Sequence, residues 1–227
     1  MATAFVTGAN RGLGLEFVKQ LAGRGDFVYA SCRSPDKADE LRALEGDTVK
    51  IVECDVADQA SCDAAAQHVD RDIDLLVNNA GVYGPTGGKQ HVGVFDGNEA
   101  TRVLRINVVG VLLMTQALAG KLANPATNFV LSSGVGSISR TSGSQPIYYA
   151  ASKAAVNMVC KVLGDTMKDR GVTTLAVSPG WVQTDMGGEN ASLTPEQSIN
   201  RMLRIIDNVT PEQSGQFLES TGNVIPY

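Results

Sequence analysis

Tyr149 and Lys153, set four residues apart in Tyr149-Ala150-Ala151-Ser152-Lys153, are the pair in this chain best suited to moving a proton. On a helix that spacing brings both side chains out on one face, one turn apart, so an ammonium stands near a phenol. A free phenol has a pKa near ~10, too high for good proton exchange at neutral pH, and a nearby cation favours the phenolate. Lys153 is therefore expected to tune Tyr149. The adjacent Tyr148 has no lysine four residues on and is assigned to packing or to the rim of a substrate site. The hydroxyls of Ser132 and Ser133, which follow an apolar run, are of the type that donates to an oxygen gaining negative charge during a reaction. Asn107, inside a helical pattern, and Asn78-Asn79-Ala80-Gly81, after another run, complete the polar set.

Other chemistries fit less well. A serine hydrolase needs a nucleophile elbow, and no Gly-x-Ser-x-Gly occurs. Neither histidine, His68 in a helical segment or His91 in a glycine-flanked loop, stands near the serine pair. Without His-Glu-x-x-His or clustered cysteines, no metal site is expected.

A second feature lies at the start of the chain. The run Thr7-Gly8-Ala9-Asn10-Arg11-Gly12-Leu13-Gly14 leads from an apolar stretch into a helical one. Gly8 suits a tight turn, Gly12 lets the backbone approach a pyrophosphate, and Gly14 lets the helix sit close to the strand, whose partner helix then points its N-terminus at the phosphates. The Lys-Ser/Thr ending of a nucleoside triphosphatase loop is absent, so a dinucleotide is expected rather than ATP or GTP. An acidic residue ending the second strand would select NAD(H). Here Arg33 stands there, with Arg11 in the turn, and two guanidinium groups could grip a 2′-phosphate. NADP(H) is preferred, NAD(H) is kept as the alternative, and two merely solvated surface arginines are the plain reading.

Such residues need a scaffold. Six short runs, Ala4–Thr7, Phe27–Ala30, Val49–Val52, Leu75–Val77, Asn128–Leu131 and Thr174–Val177, read as buried strands. Between them, apolar residues recur three or four apart, as in Leu13, Phe17, Val18 and Leu21, and again in Leu104, Val108, Val111, Leu112 and Thr115. Repeated strand-helix alternation implies right-handed crossovers, hence an α/β Rossmann fold with a doubly wound parallel sheet of about seven strands and helices on both faces. Residues 1–227 are read as one domain. The loops 84–88 and 134–146 follow strands and are expected to rim the ligand crevice at their carboxyl ends. A 43% apolar content is ordinary for a globular protein, and a net charge of -5 argues against nucleic acid or an anionic bilayer as a partner. The longest apolar region, Val108 to Ala119, falls short of the ~20 residues of a bilayer span, so no membrane partner is expected. Four scattered cysteines, Cys32, Cys54, Cys62 and Cys160, read as small buried thiols, and a soluble cytoplasmic protein is the expectation.

Taken in order, the glycine turn, Asn78-Asn79-Ala80-Gly81, Asn107, Ser132-Ser133 and the Tyr149/Lys153 pair resemble the short-chain dehydrogenase/reductase family over nearly the whole chain. The resemblance implies an NADP(H)-dependent oxidoreductase that interconverts a small-molecule carbonyl and an alcohol. It makes Tyr149 the proton donor or acceptor, lets Lys153 also bond the nicotinamide ribose, and favours Ser133 over Ser132 as the oxygen's donor, although the Ser133–Tyr149 interval is longer than is usual. Asn107 would hold a water linking Lys153 to solvent, with a helix-kinking amide as the alternative. The cofactor surface it implies comprises the glycine turn from Gly8 through Asn10, Arg11, Gly12 and Leu13 to Gly14, with Arg33. To these it adds Asp55 and Val56 at the adenine, Asn79, Ala80 and Gly81 beneath the adenosine, and Pro179, Gly180, Val182 and Thr184 at the carboxamide, with pro-S hydride transfer. The stretch 179–188, the later Leu203–Asp207 and the final Val224–Tyr227 look most like the C-factor-like branch, which includes small carbonyl reductases. That likeness leaves a nucleotide-binding signalling or regulatory protein with little catalysis as the second reading. The resemblance also implies a homodimer through the helices 104–118 and 150–163, and residues 187–208 are expected to form a short substrate lid.

Overall fold

The computed structural model describes residues 1–143 and 145–227; residue 144, inside the expected 134–146 loop, lies outside the described residues. Seven strands, β1 (Thr3–Thr7), β2 (Phe27–Cys32), β3 (Val49–Glu53), β4 (Ile73–Asn78), β5 (Leu122–Leu131), β6 (Val172–Ser178) and β7 (Phe217–Glu219), form one sheet in the order 3-2-1-4-5-6-7. All six pairings are parallel. Six strands contain the runs expected from sequence. The seventh, β7, has three residues, too few to show a period.

Strand alternation divides the core. Ala4 and Val6 of β1, Phe129 and Leu131 of β5, and Leu175 and Val177 of β6 face one layer. Helices α1 (Gly12–Gly23) and α7 (Pro195–Asp207), with the short α2 (Asp39–Arg42), cover that layer. Their neighbours Phe5, Val130 and Ala176 face the other way, toward α3 (Gln59–Gln67), α4 (Gly97–Leu104), α5 (Gly110–Leu118) and α6 (Ile147–Thr166). This is the doubly wound Rossmann arrangement, with apolar runs buried on both faces of the sheet.

A five-residue π turn, Arg105–Val109, joins α4 and α5 into one helical run, Gly97–Leu118. Its 22 residues are long and apolar enough, by length and composition, to cross a membrane; the sequence reading counted only the part from Val108. In the fold the run packs on β4, β5, α3 and α6, with Val103, Val111, Met114 and Leu118 buried. All four cysteines are buried and free.

The expected lid divides in two. Residues 195–207 are not a flap: Ile199, Met202 and Leu203 of α7 belong to the main core and pack with α1. A helix that supplies buried core residues resists local opening. Only the stretch 187–194 before it is loop.

The chain reverses its winding between β1 and β4, and the crevice for a ligand opens there, at the carboxyl ends of the strands. Gly8 has φ +65°, and a Cβ added at Gly14 would stand 2.2 Å from the Gly8 carbonyl oxygen, so the helix and the turn touch only because residue 14 has no side chain. Thr7 stitches this turn to the end of β4, its hydroxyl accepting from the N–H groups of Asn79 and Ala80 at 3.0 Å each.

Candidate active site

A cleft of about 310 Å³ runs from the end of β2 across the glycine turn to the start of α6. It is lined by Gly8, Asn10, Arg11, Gly12 and Leu13 of the turn, by Arg33, Asp55 and Val56, by Asn79, Ala80 and Gly81, and by Tyr149, Lys153, Pro179 and Thr184. Of the expected set, Gly14, Asn107, Ser133, Gly180 and Val182 stand outside this lining. Gly14 is packed under the turn. Gly180, at φ +86°, carries the chain away from β6, and Val182 bridges to Leu193, with the Gln183 N–H donating to the Leu193 carbonyl at 2.8 Å.

Asn79 is a brace. Its amide nitrogen donates to the Thr7 and Gly8 carbonyls at 2.8 and 3.1 Å. Asn107 is committed in the same way: its oxygen accepts from the Val82 N–H at 2.8 Å, and its nitrogen donates to the Val82 carbonyl and the Ser152 hydroxyl at 2.9 Å each. Its side chain thus ties the π turn to the loop after β4 and to α6.

The two serines separate cleanly. Ser132 is buried and donates to the Asn157 side chain at 2.6 Å, whereas the Ser133 hydroxyl is the one that acts on the Tyr149 phenol, drawing its pKa down. Successive residues at the end of β5 point to opposite sides, so only one can reach the phenol.

The charge states differ from the expectation. Lys153, 5% exposed, donates to the Leu131 carbonyl at 2.7 Å, and burial pushes its pKa down to about 8. Its nitrogen is 5.6 Å from the centre of the Tyr149 ring. The anticipated lowering of Tyr149 is not found. Burial pushes the phenol up to about 12, the Ser133 hydrogen bond acts the other way, and the neighbouring Tyr83 adds to the rise. With its ammonium drawn to a main-chain oxygen, Lys153 does not counter the desolvation of the phenol.

Several residues were not anticipated. Ser34 and Lys37 join Arg33 at the β2 end, and Asp185 and Met186 line the cleft after β6. Lys37 follows Arg33 by four residues, a cluster of positive charge that could have been read directly. Arg11, which lines the same cleft as Arg33, forms an exposed ion pair with Asp185. Tyr83 packs against Tyr149 with ring centres 5.1 Å apart and the rings tilted by 35°, and Gln90 bonds the backbone beside it.

The donor set fits a dinucleotide. Helix α1 begins at the cleft with no side-chain cap and no acidic residue in its first turn, so its free N–H groups are open to an anion. At Gly12, φ +55°, the space a Cβ would fill is bounded only by the Thr184 side chain at 3.5 Å, leaving the backbone accessible. Exposed cations at residues 33 and 37 lie at one end, and the phenol and ammonium at the other.

Lysine burial has a measurable consequence. Between pH 8 and about 10, an unfolded chain keeps the proton on residue 153 while the folded chain loses it, so stability rises with pH through that window. Lys153→Met removes the dependence. Urea midpoints are expected to show the variant's advantage over the wild type shrinking from pH 7.5 to pH 9.5, and a constant difference would refute the burial of the charge.

The short chain dehydrogenase family matches residues 2–194. The C-signal protein of Myxococcus xanthus is 36% identical over 157 residues, which cover 68% of this chain and 93% of that protein. A 1-hydroxy-2-glutathionyl-2-methyl-3-butene dehydrogenase from Rhodococcus sp. is 33% identical over the full length of both. Among solved structures, the NADPH-bound carbonyl reductase from chicken fatty liver superposes with a TM-score of 0.93 at 31% identity, covering 100% of this chain and 99% of that one. The motifs, the sheet order and these matches agree, and the chain belongs to the short-chain dehydrogenase/reductase family of oxidoreductases, on its carbonyl reductase and C-factor-like branch.

Proposed function

We propose that this protein is an NADP(H)-dependent carbonyl reductase in which Tyr149 gives its phenolic proton to the carbonyl oxygen of a small substrate. The observation that carries this reading is the meeting of Tyr149 and Lys153 at one end of a cleft whose other end is cationic, with Ser133 next to the phenol just outside the lining. A bound NADPH would supply the hydride. The first-turn N–H groups of α1 would hold its pyrophosphate, Arg33 and Lys37 its 2′-phosphate, and Asp55 and Val56 its adenine. Thr184 and Pro179 lie where the nicotinamide end would rest.

At neutral pH the Tyr149 phenol carries the proton that the reductive direction requires. Ser133, next to that phenol, would donate to the same substrate oxygen and stabilise charge developing on it. Lys153, half-deprotonated near pH 8, can return a proton toward the phenol after transfer and can bond the ribose hydroxyls. The C-signal likeness supports a second reading, a dinucleotide-binding regulator, but a regulator has no use for a phenol, a hydroxyl and a buried amine converging on one point.

A homodimer is part of the proposal. Leu104 and Leu112 on the α4–α5 run, and Met158 and Val162 on α6, are 40–64% exposed, which leaves apolar side chains on both helices for a second copy to cover. Sedimentation at micromolar concentration is expected to give a dimer that Met158→Glu dissociates; a wild-type monomer would remove this part.

Tyr149→Phe should lower turnover by about 10²–10⁴-fold with NADPH affinity nearly intact, because only the proton donor is lost. Near-wild-type turnover of carbonyl substrates by that variant would refute the assignment. For cofactor choice, Arg33→Asp should shift the NADPH/NADH ratio of kcat/KM by about two orders of magnitude toward NADH, through lost attraction and new repulsion. An unchanged ratio would clear Arg33 of that role.

A further inference from the structure

Helices α3, α4 and α7 each open on a side chain that accepts from their first free N–H groups, namely Asp58, Asp96 and Thr194. Helix α6, which carries Tyr149 and Lys153, opens on Pro146, whose side chain has nothing to offer. Its first intrahelical bond runs from the Ala150 N–H to the Pro146 carbonyl, so the N–H groups of Tyr148 and Tyr149 must find partners elsewhere.

They find one residue. The Gln90 side-chain oxygen accepts from the Tyr148 N–H at 3.0 Å and from the Tyr149 N–H at 3.4 Å. Its nitrogen donates to the Tyr83 carbonyl at 3.2 Å and to the Pro85 carbonyl at 2.9 Å. A glutamine amide has two acceptor sites and two donors, and here all four are filled in a side chain that is 4% exposed. The loop around it is shaped to fit: Gly84 has φ +90°, and a Cβ there would stand 3.3 Å from the Gln90 nitrogen and 3.0 Å from Val103. A second fastening runs alongside, from the Asp96 N–H to the Tyr148 hydroxyl at 2.6 Å.

We propose that Gln90 is a positioning residue for the proton transfer: from the loop between β4 and α4 it caps the helix of Tyr149, and it holds the Tyr83 segment whose ring lies against the phenol. The inference rests on the reading of Tyr149 as proton donor. Because one amide holds both the helix start and the wall beside it, any displacement of Tyr83 is felt at the backbone of Tyr149. The glycine turn and Lys153, one helical turn further on, touch none of this, so cofactor binding should be independent of residue 90.

Gln90→Met matches the length of the side chain and removes all four bonds, whereas Gln90→Glu keeps the acceptor toward the helix and loses both donors. With 4-nitrobenzaldehyde as probe, Gln90→Met should lower kcat by about 10–100-fold, the scale of a misplacement near 1 Å, with the NADPH Kd held within about twofold. Amide hydrogen exchange at Tyr148 and Tyr149 should quicken by about tenfold or more in Gln90→Met and stay slow in Gln90→Glu, which recovers much of kcat. Unchanged kcat and exchange in Gln90→Met, or a fall in kcat matched by an equal fall in NADPH affinity, would overturn the proposal. Should the methionine variant not fold, Gln90→Asn, one methylene too short to span the gap, is judged by the same criteria. Tyr149→Phe run in parallel separates the failures: an active Tyr149→Phe sinks the donor assignment, whereas an inactive one beside a fully active Gln90→Met sinks only the role of Gln90.

Discussion

The burial of the Lys153 ammonium is the constraint to which the rest of the site conforms. Its nitrogen is held by a main-chain oxygen, that of Leu131 at the end of β5, in a position 5% exposed. The neighbouring chain makes room for it. A Cβ at Gly136 would come within 2.7 Å of the Lys153 backbone, so the loop after β5 can lie on α6 only through a glycine. Gly81 lets the loop after β4 approach from the other side, where an added Cβ would stand 3.8 Å from the amine. A cation stripped of water with few partners is costly, and the depressed pKa expresses that cost. Such a group is ready to accept further hydrogen-bond partners, which the hydroxyls of a ribose in the cleft would supply.

Two helix starts meet the cleft, and neither carries its own cap. That of α1 is left open, and its free N–H groups, with Gly12 beside them, make a seat for an anion. That of α6 is closed from a distance by Gln90. The difference follows from what each must do. An anion-binding turn needs donors that stay unsatisfied until the ligand arrives, whereas a helix that presents a proton donor needs its first turn fixed in advance.

Much of this was legible in the sequence because it is local. Tyr149 and Lys153 show themselves by a four-residue spacing, the glycine turn by residue types that only certain dihedrals explain, and the parallel sheet by β-branched runs alternating with helical ones. The less legible parts depend on distance. Gln90 is a lone amide in a loop, 59 residues from the N–H it caps. Asp185 is 174 residues from Arg11, and nothing in the sequence announces that they will pair. The place of Pro195–Asp207 in the core is hidden for a related reason: it follows a glycine-rich stretch, and its apolar stripe of Ile199, Met202 and Leu203 marks a core helix only once α1 is seen beside it. The ionisation of Tyr149 also lay beyond a spacing argument, because spacing gives proximity while desolvation depends on everything packed around the ring.

The balance between a reductase and a regulator turns on that last point. A protein that only bound a dinucleotide would be served by the open α1 start and the cations at residues 33 and 37, all of them at the surface and inexpensive to keep. The far end of the cleft is different in kind: an amine buried at a pKa of about 8 and a phenol pushed to about 12, with a serine hydroxyl behind them that draws the phenol's pKa the other way. The phenol and the amine each depart from their solution state in a direction that disfavours charge, which weakens the fold while keeping the phenol protonated and leaving the amine a mixture of charged and neutral forms near physiological pH. A phenol in that state can give a proton, and the fraction of Lys153 that is still protonated can return one to the phenolate, which is the ground for preferring the proposed reductase over the regulator.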